Sequence, residues 1–192
     1  MQLLVGLGNP GRKYAANRHN VGFMAADAVH HRYGFPAWRT RFDGELAEGI
    51  IGEERVLLLK PMTFMNDSGR SVGYAATFYK IKPKDIIVMH DELDLAFGKV
   101  RTKTGGGLAG HNGLRSIDQH LGGPGFRRVR IGIDHPGHKD LVHDHVLSDF
   151  SKEEAAEVQK IVEAIAEAAP YLMTNDESGF ATKVALLTKE KA

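Results

Sequence analysis

Short apolar runs of the kind that form buried β-strands alternate along this chain with segments of helical periodicity. Strands are predicted at 2–8, 45–51, 55–59, 85–90, 100–104 and 127–133. Helices are predicted at 21–33, 68–79 and 114–121, and a further one starts at the capping box of Ser151 and Glu154. This alternation predicts a mixed, mostly parallel, twisted α/β sheet flanked by helices, in which 45–51 and 55–59 form an antiparallel hairpin.

No repeat, charge block or Ser/Pro-rich linker divides the 192 residues, so one domain over 1–192 is predicted. Within it, 134–150 is expected to be a mobile loop and 151–188 to form C-terminal helices. The sequence has no cysteine and no apolar run long enough for a signal peptide or a membrane span. We therefore expect a cytoplasmic protein that does not bind membranes. A monomer is favoured because no long apolar stripe is left over.

Charge is distributed unevenly, although the net charge is only +1. Between positions 97 and 130 there are seven basic residues against one acidic residue, whereas 151–177 contains seven acidic residues against two lysines. A basic face opposite an acidic one is expected of a protein that attracts a phosphate-bearing ligand to one side. The alternative is that both segments are ordinary solvated faces.

Three motifs match functional patterns without the required context. Residues 6–11 fit the dinucleotide-binding pattern G-x-G-x-x-G, but Pro10 interrupts the turn and no helical period follows it directly. Residues 69–73 fit G-x-S-x-G, yet no strand precedes them, so Ser71 is predicted to be an ordinary helix residue. The histidines between 135 and 145 lack the spacing of a helical metal site. No metal site and no cofactor are predicted.

Polar residues cluster where the predicted strands end and helices begin. They are Asn9, His19, Asn20, Asn66, Asp91 and Asn112. Residues beyond the carboxyl ends of strands converge on one crevice in open α/β sheets. Helix capping is an alternative role for the three asparagines that precede helices, but it does not explain Asn9, His19 and Asp91. A strand-end aspartate and a loop histidine are the components of an oriented general base.

Five spaced motifs give this chain a specific resemblance to one family. They are Gly6-Leu7-Gly8-Asn9-Pro10-Gly11 with Tyr14 and Arg18-His19-Asn20; Lys60-Pro61-Met62-Thr63-Phe64-Met65-Asn66 with Ser68-Gly69; His90-Asp91-Glu92-Leu93-Asp94; Gly105 to Gly107 with Gly110-His111-Asn112-Gly113; and Arg130-Ile131-Gly132-Ile133. In this order they resemble the bacterial-type peptidyl-tRNA hydrolases over nearly the whole chain. The sequence departs from that pattern at Asn17, where threonine is frequent, and at Asp134, where glycine is usual.

The resemblance implies hydrolysis of the ester that joins a peptide to the 3′-terminal ribose of tRNA, which recycles tRNA from stalled or aborted translation. It implies that His19 is the base that activates water and that Asp91 stabilises His19 in this role. Asn9 would contact the peptide near the ester and help to distinguish peptidyl-tRNA from free aminoacyl-tRNA, and Asn66 would be a candidate donor to the oxyanion. The residues implied to hold the 3′ end are Tyr14, Phe64, Asn66 and Asn112, and those implied to contact tRNA phosphates are Lys103 and Arg130. Neither a metal nor a covalent intermediate is expected.

Three alternatives stay open at the level of the sequence. A non-enzymatic RNA-binding module would share the basic segment and the glycines between 105 and 113, but it would not need His19 and Asp91. A serine esterase would use Ser71 as its nucleophile. A relative with a role in RNA splicing or ribosome association would be expected to have lost parts of the site, whereas this chain keeps every motif residue named above.

Overall fold

The computed structural model describes residues 1–189 and contains a seven-stranded sheet with helices on both faces. The last three residues of the predicted 1–192 domain lie outside this described range. The strands are β1 (Gln2–Gly6), β2 (Arg39–Arg41), β3 (Gly44–Ile51), β4 (Glu54–Pro61), β5 (Ile86–Glu92), β6 (Val100–Thr104) and β7 (Arg127–Gly132). The helices are α1 (Val21–Arg32), α2 (Ser68–Tyr79), α3 (Asn112–Leu121), α4 (Val142–Val146), α5 (Lys152–Met173) and α6 (Glu177–Lys189).

The sheet has the strand order β2-β3-β4-β1-β5-β7-β6. At its centre, β1 pairs in parallel with β4 and with β5, and β5 pairs in parallel with β7. Towards the edges, β2 with β3, β3 with β4, and β6 with β7 are antiparallel. The predicted mixed α/β sheet is therefore confirmed. Its four parallel strands place their carboxyl ends at one edge, which is the edge where open α/β sheets bind ligands.

Two apolar cores hold the helices on the sheet. On one face, α1, α5 and α6 cover side chains such as Leu4 and Ile87. On the other face, α2 and α3 cover side chains such as Leu3 and Val88. Strands buried on both faces need nearly continuous apolar sequence, which is why β1 and β5 were recognisable in the chain. No helix within residues 1–189 has the length and apolar character needed to cross a membrane.

Several elements differ in detail from the sequence-based expectation. The short polar strand β2 was not predicted, and the segment 134–150, predicted to be a loop, contains the one-turn helix α4. The predicted capping box at the start of α5 is present, with Ser151 and Glu154 each bonded to the other's backbone N–H. The helix α3 begins earlier than expected because His111 caps it: its Nδ1 accepts hydrogen bonds from the N–H groups of Gly113 and Leu114.

Two arginines of the basic segment do not face solvent. Arg127 is buried and donates to the carbonyl oxygen of Leu172, so it ties β7 to the end of α5. Arg128 is also buried and donates to the carbonyl oxygens of Gly105 and Gly107, which fixes the glycine-rich loop before α3. The basic face expected from the sequence is thus smaller than the residue count implied. Part of that charge has a structural role instead.

Candidate active site

A crevice of about 640 Å³ lies where the central parallel strands end. Its lining comes from the loop after β1, the loop after β4 and the start of α3, and also from α4 and the segment before it. Six residues predicted from the sequence line this crevice: Asn9, His19, Phe64, Asn66, Asp91 and Asn112. They converge because parallel strands direct their following loops to the same edge of the sheet.

His19 and Asp91 are in direct contact in the crevice. The Nδ1 atom of His19 lies 2.7 Å from Oδ2 of Asp91, although the two residues are 72 positions apart in sequence. Asp91 is almost completely buried near the end of β5, whereas the His19 side chain keeps some exposure. A hydrogen on Nδ1 that is bonded to a carboxylate leaves Nε2 with its lone pair, which is the tautomer a general base requires.

His111 is hydrogen-bonded to the other carboxylate oxygen of Asp91. Its Nε2 lies 2.8 Å from Oδ1 of Asp91, while its Nδ1 accepts the two backbone hydrogen bonds that cap α3. Because Nδ1 is an acceptor, the hydrogen must reside on Nε2, so His111 donates to the carboxylate. Both carboxylate oxygens are therefore fixed in place. The sequence analysis quoted His111 within a motif but did not assign it this contact.

The electrostatic environment favours a charged aspartate beside a basic histidine. Burial would raise the pKa of Asp91, but His19 and His111 outweigh this and hold that pKa well below its usual range. For His19, burial lowers the pKa, and the charge and hydrogen bond of Asp91 more than compensate, so the pKa of His19 is raised above 6.5. The carboxylate thus makes His19 a stronger base than a free histidine.

Arg18 anchors the turn that carries His19. Its guanidinium donates to the Ser148 hydroxyl, to the carbonyl oxygen of Asp149 and to the carboxylate of Glu154. The backbone N–H of Arg18 also donates to the carbonyl oxygen of Ser148. These contacts join the turn before α1 to the start of α5. They hold the backbone of the adjacent His19 in a fixed position.

Asn9 and Asn20 bond to each other rather than capping helices. The side-chain oxygen of Asn20 accepts from the Asn9 backbone N–H, and its Nδ2 donates to the Asn9 carbonyl oxygen. The side-chain oxygen of Asn9 accepts from the backbone N–H of Met65. This leaves Nδ2 of Asn9 as the group that is free to donate into the crevice. The capping alternative for Asn20 is therefore wrong, since α1 has no side-chain cap at that residue.

The remaining predicted residues make no direct hydrogen bond to His19 or Asp91 within the described residues, and some of them lie outside the crevice lining. Asn66 and Asn112 are exposed on the crevice wall, and Tyr14 packs edge-on against Phe64, with ring centroids 6.5 Å apart. Arg130 is half-buried and does not line the crevice, and its Nε donates to the carboxylate of Glu92, which does. Lys103 is on the edge strand β6, outside the crevice.

The structure also places the residues of the three incomplete motifs. No α-helix follows β1 until Val21, so the first glycine motif lacks the helix that would bind a pyrophosphate. Ser71 is an internal residue of α2, as predicted, and it is fully buried. Within the described residues, the histidines of 135–145 do not form a group that could hold a metal ion: His145 contacts the carbonyl oxygens of Ile133 and Asp134, whereas His135 and His143 line the crevice.

One cluster within residues 1–189 has the composition of a metal site, namely His19, Asp91 and His111. These groups already satisfy one another by hydrogen bonds of 2.7 and 2.8 Å. The nitrogen of His111 that faces Asp91 carries a hydrogen and so offers no lone pair to a cation. The donor set therefore fits a hydrogen-bonded catalytic network better than it fits a metal centre.

His90 is a buried histidine directly before Asp91. Its Nδ1 donates to the Asp91 carbonyl oxygen over 2.8 Å, and its Nε2 has no hydrogen-bond partner within the described residues. Burial, followed by the proximity of His111, lowers the pKa of His90 to about 3. His90 is therefore neutral in the folded protein, and its hydrogen bond helps to fix the backbone that carries Asp91.

This depressed pKa predicts acid sensitivity of the fold. Between pH 6.5 and about 3, the unfolded chain binds a proton at His90 and the folded protein does not, so stability is lost as the pH falls. The contribution is at most about 1.4 kcal/mol per pH unit. Denaturant unfolding of wild type and His90→Asn at several pH values measures it, because the asparagine amide can still donate to the Asp91 carbonyl. A variant that loses stability with pH as steeply as wild type would contradict the prediction.

Proteins of one family resemble the chain over its full length. The family model described as Peptidyl-tRNA hydrolase matches residues 3–192. The chain belongs to the peptidyl-tRNA hydrolase family. A peptidyl-tRNA hydrolase of Bradyrhizobium diazoefficiens is 58% identical over 191 residues, which is 100% of this chain and 94% of the relative. One from Gluconobacter oxydans is 59% identical over 97% of this chain and 99% of its own length. The crystal structure of peptidyl-tRNA hydrolase from Acinetobacter baumannii is 41% identical, with a TM-score of 0.90, covering 96% of this chain and 94% of that chain.

The two departures from the family pattern have local structural explanations. Asn17 donates from Nδ2 to the Asp149 carboxylate and so adds a further link between the His19 turn and the start of α5. Asp134 has a left-handed backbone with φ of 64°, a conformation in which glycine is the usual residue. Its carboxylate accepts a hydrogen bond from the backbone N–H of Phe97, which helps to hold that conformation. Neither residue contacts His19 or Asp91 through its side chain.

Proposed function

We propose that this member of the peptidyl-tRNA hydrolase family hydrolyses the ester between a peptide and the 3′-terminal ribose of tRNA, and that His19 is its general base. The observation that carries the proposal is the 2.7 Å contact of His19 with a buried, ionised Asp91 inside the crevice. A module that binds RNA without catalysis would not need such a pair. The raised pKa of His19 suits a group that accepts a proton from water.

In this mechanism, Nε2 of His19 takes a proton from a water molecule as the water oxygen attacks the ester carbon. Asp91 stabilises the imidazolium that forms, because its carboxylate accepts the hydrogen on Nδ1. When the tetrahedral intermediate collapses, the bond to the 3′ oxygen breaks, and His19 returns its proton to that oxygen. The products are the free peptide acid and tRNA with a 3′ hydroxyl. An activated ester needs only a positioned water, a base and hydrogen-bond donors, so neither a metal nor a covalent intermediate is invoked.

The other crevice residues are assigned by their positions around His19. The free Nδ2 of Asn9 is suited to donate to a carbonyl oxygen of the peptide. The exposed amides of Asn66 and Asn112 are suited to contact the oxyanion and the terminal ribose, and the edge-on pair of Tyr14 and Phe64 offers aromatic surface to the terminal bases.

Lys103 and Arg130 are assigned to tRNA phosphates, which both can reach from the neighbouring strands β6 and β7. In Arg130, Nε is bonded to Glu92, so the terminal nitrogens are left for a phosphate. Such contacts bind RNA with little sequence preference and weaken with salt.

The proposed role of Asn9 is tested by comparing N-acetylaminoacyl-tRNA with free aminoacyl-tRNA. Wild type should favour the N-blocked ester, and Asn9→Ala should reduce this preference by roughly 3- to 10-fold, the value of one net hydrogen bond. Asn66→Ala is the matched control, because a residue that contacts the oxyanion or ribose should lower kcat/KM for both substrates by the same factor. A wild type that hydrolyses neither substrate would overturn the proposed function. An unchanged preference in Asn9→Ala would overturn the assignment of Asn9 alone.

A further inference from the structure

We propose that Asp134 and Asn17 are positioning residues, which hold the two ends of the part of the crevice lining formed by residues 135–147 and thereby set how tightly the crevice binds its substrate. We call this stretch the lining segment. Its members that line the crevice are His135, Lys139, Val142, His143, Val146 and Leu147. The inference rests on the proposed function, because it assumes that the substrate occupies the crevice.

The first half of the lining segment has few attachments of its own. All of residues 135–141 except Pro136 are exposed. Within the described part of the chain, every hydrogen bond of 135–141 stays inside the segment, such as those that the His135 and His138 rings accept from nearby backbone N–H groups. The second half packs on the core through Val146, which is buried. The position of the whole segment therefore depends on its two ends.

Asp134 holds the first end through a reciprocal pair of hydrogen bonds. Its backbone N–H donates to the carbonyl oxygen of Leu95 over 3.1 Å, and its Oδ1 accepts from the backbone N–H of Phe97 over 2.9 Å. Leu95 and Phe97 belong to the loop between β5 and β6, which contributes Leu93 and Asp94 to the crevice lining. Asp134 thus ties the lining segment to a neighbouring part of the same crevice.

The backbone turn at Asp134 does not itself require a carboxylate. Its φ of 64° is one that glycine adopts without steric cost. A glycine here would keep the turn and lose the hydrogen bond to Phe97. The aspartate therefore adds a contact at this end that the turn geometry alone does not explain.

Asn17 holds the second end next to the general base. Its Nδ2 donates to Oδ1 of Asp149 over 2.8 Å, and beside it the backbone N–H of Arg18 donates to the carbonyl oxygen of Ser148. The Asn17 side chain is buried, whereas Asp149 is exposed. Because His19 follows directly in sequence, this end of the segment is fixed relative to the group that takes the proton from water.

The two ends lie close together. The rings of Phe97 and Phe150 pack with centroids 6.1 Å apart, and Nε2 of His145 donates back to the carbonyl oxygens of Ile133 and Asp134. A loop whose ends meet in this way is held as a unit by the contacts at its base. A binding wall that is already in place carries no ordering cost when the substrate binds, whereas a loosened wall must be ordered at that step.

The position of the segment can be measured with spin labels, because the chain has no cysteine of its own. Asp144→Cys and Gln119→Cys place one label on α4 and one on α3, at exposed residues outside the crevice lining. Double electron–electron resonance should give a narrow distance distribution in the otherwise wild-type chain. Asp134→Gly, which removes the bond to Phe97, and Asp149→Ala, which removes the acceptor of Asn17, should each broaden it.

Kinetics of the unlabelled chain test the consequence for the substrate. Asp134→Gly and Asp149→Ala should each raise KM for N-acetylaminoacyl-tRNA roughly 2- to 10-fold, the value of one net hydrogen bond. The kcat should stay unchanged, because neither side chain contacts His19 or Asp91. Thermal unfolding confirms that each variant is folded.

Two control variants separate the hydrogen bond from the charge. Asp134→Asn keeps an oxygen that can accept from Phe97, and asparagine tolerates the left-handed backbone, so this variant should retain the narrow distribution and the wild-type KM. Asp144→Asn removes a carboxylate from the same segment that has no ion pair or side-chain hydrogen bond within residues 1–189, and it should also leave KM unchanged.

The outcomes separate this inference from the proposed function. Broadening together with a raised KM in Asp134→Gly and Asp149→Ala, and neither effect in Asp134→Asn, supports the positioning role. It is overturned by distributions that stay narrow, by a KM that does not follow the broadening, or by Asp134→Asn behaving like Asp134→Gly. If wild type hydrolyses no ester, the proposed function fails, and the label distances still decide whether the two residues hold the segment.

Discussion

Replacement of His19 by alanine is expected to lower kcat by about 10²- to 10⁴-fold, the usual contribution of a general base. The reason is that Nε2 of His19 carries the lone pair that can accept a proton in the crevice, while Nδ1 is hydrogen-bonded to Asp91 at 2.7 Å. Substrate binding depends on other groups, so KM should change much less than kcat. Single-turnover hydrolysis of N-acetylaminoacyl-tRNA measures the chemical step directly.

The matched control is His31→Ala, which removes an exposed histidine from the last turn of α1. This variant should keep full activity. His19→Ala should unfold at nearly the same denaturant concentration as wild type, so that any loss of rate is not due to unfolding. Retention of more than a tenth of the wild-type kcat by His19→Ala would show that a different group activates the water.

The second large effect is expected for Asp91→Asn, and His111 is the reason. The Nε2–H of His111 requires an acceptor, because its Nδ1 is already an acceptor in the cap of α3. The new amide would therefore turn its oxygen to His111 and its NH₂ group to His19. An NH₂ group facing Nδ1 forces the hydrogen of His19 onto Nε2, which then cannot accept a proton. The loss in kcat should be about 10⁴-fold, as for a wrong tautomer in a serine protease triad.

The pH dependence gives Asp91→Asn a second readout. In wild type the acid limb of the kcat/KM profile should have its midpoint above 6.5, because Asp91 raises the pKa of His19. In the variant this charge is gone and burial still lowers the pKa, so the midpoint of the residual activity should move to lower pH. A midpoint that stays in place would mean that His19 is not the group that titrates. Asp94→Asn, a nearby residue of the crevice lining, serves as the control and should not shift the midpoint.

Much of the fold was predictable because burial of a strand or a helix face requires apolar residues at regular positions in the sequence. The apolar runs of β1 and β5 follow from packing against both cores, and the helical spacing of α2 follows from packing against one of them. The strand β2 was missed because its three residues, Arg39–Arg41, are polar and lie at the edge of the sheet. An edge strand forms through backbone pairing and needs no apolar pattern.

The site was predictable in part, because some of its polar residues have no structural explanation in the sequence. Asn9 follows β1, Asp91 is near the end of β5 and His19 lies in the turn before α1, and helix capping explains none of the three, which marked them as a group. The contact of His111 with Asp91 was not predictable, because the same residue is an ordinary helix cap in sequence terms. The buried arginines were also unpredictable: Arg128 has the sequence surroundings of a solvent-exposed strand residue, and its burial depends on a loop 21 to 23 positions away.

The sequence by itself determined the class of fold and the chemical groups available for catalysis, because local apolar patterns decide which segments become strands and helices. The tertiary structure decided which nitrogen of His19 faces the crevice, which histidine is locked as a donor, and which cations remain exposed. These properties depend on hydrogen bonds between residues far apart in the chain, such as those 72 positions apart at His19 and Asp91. No local pattern encodes such a contact, since it exists only once the sheet has brought its strand ends together.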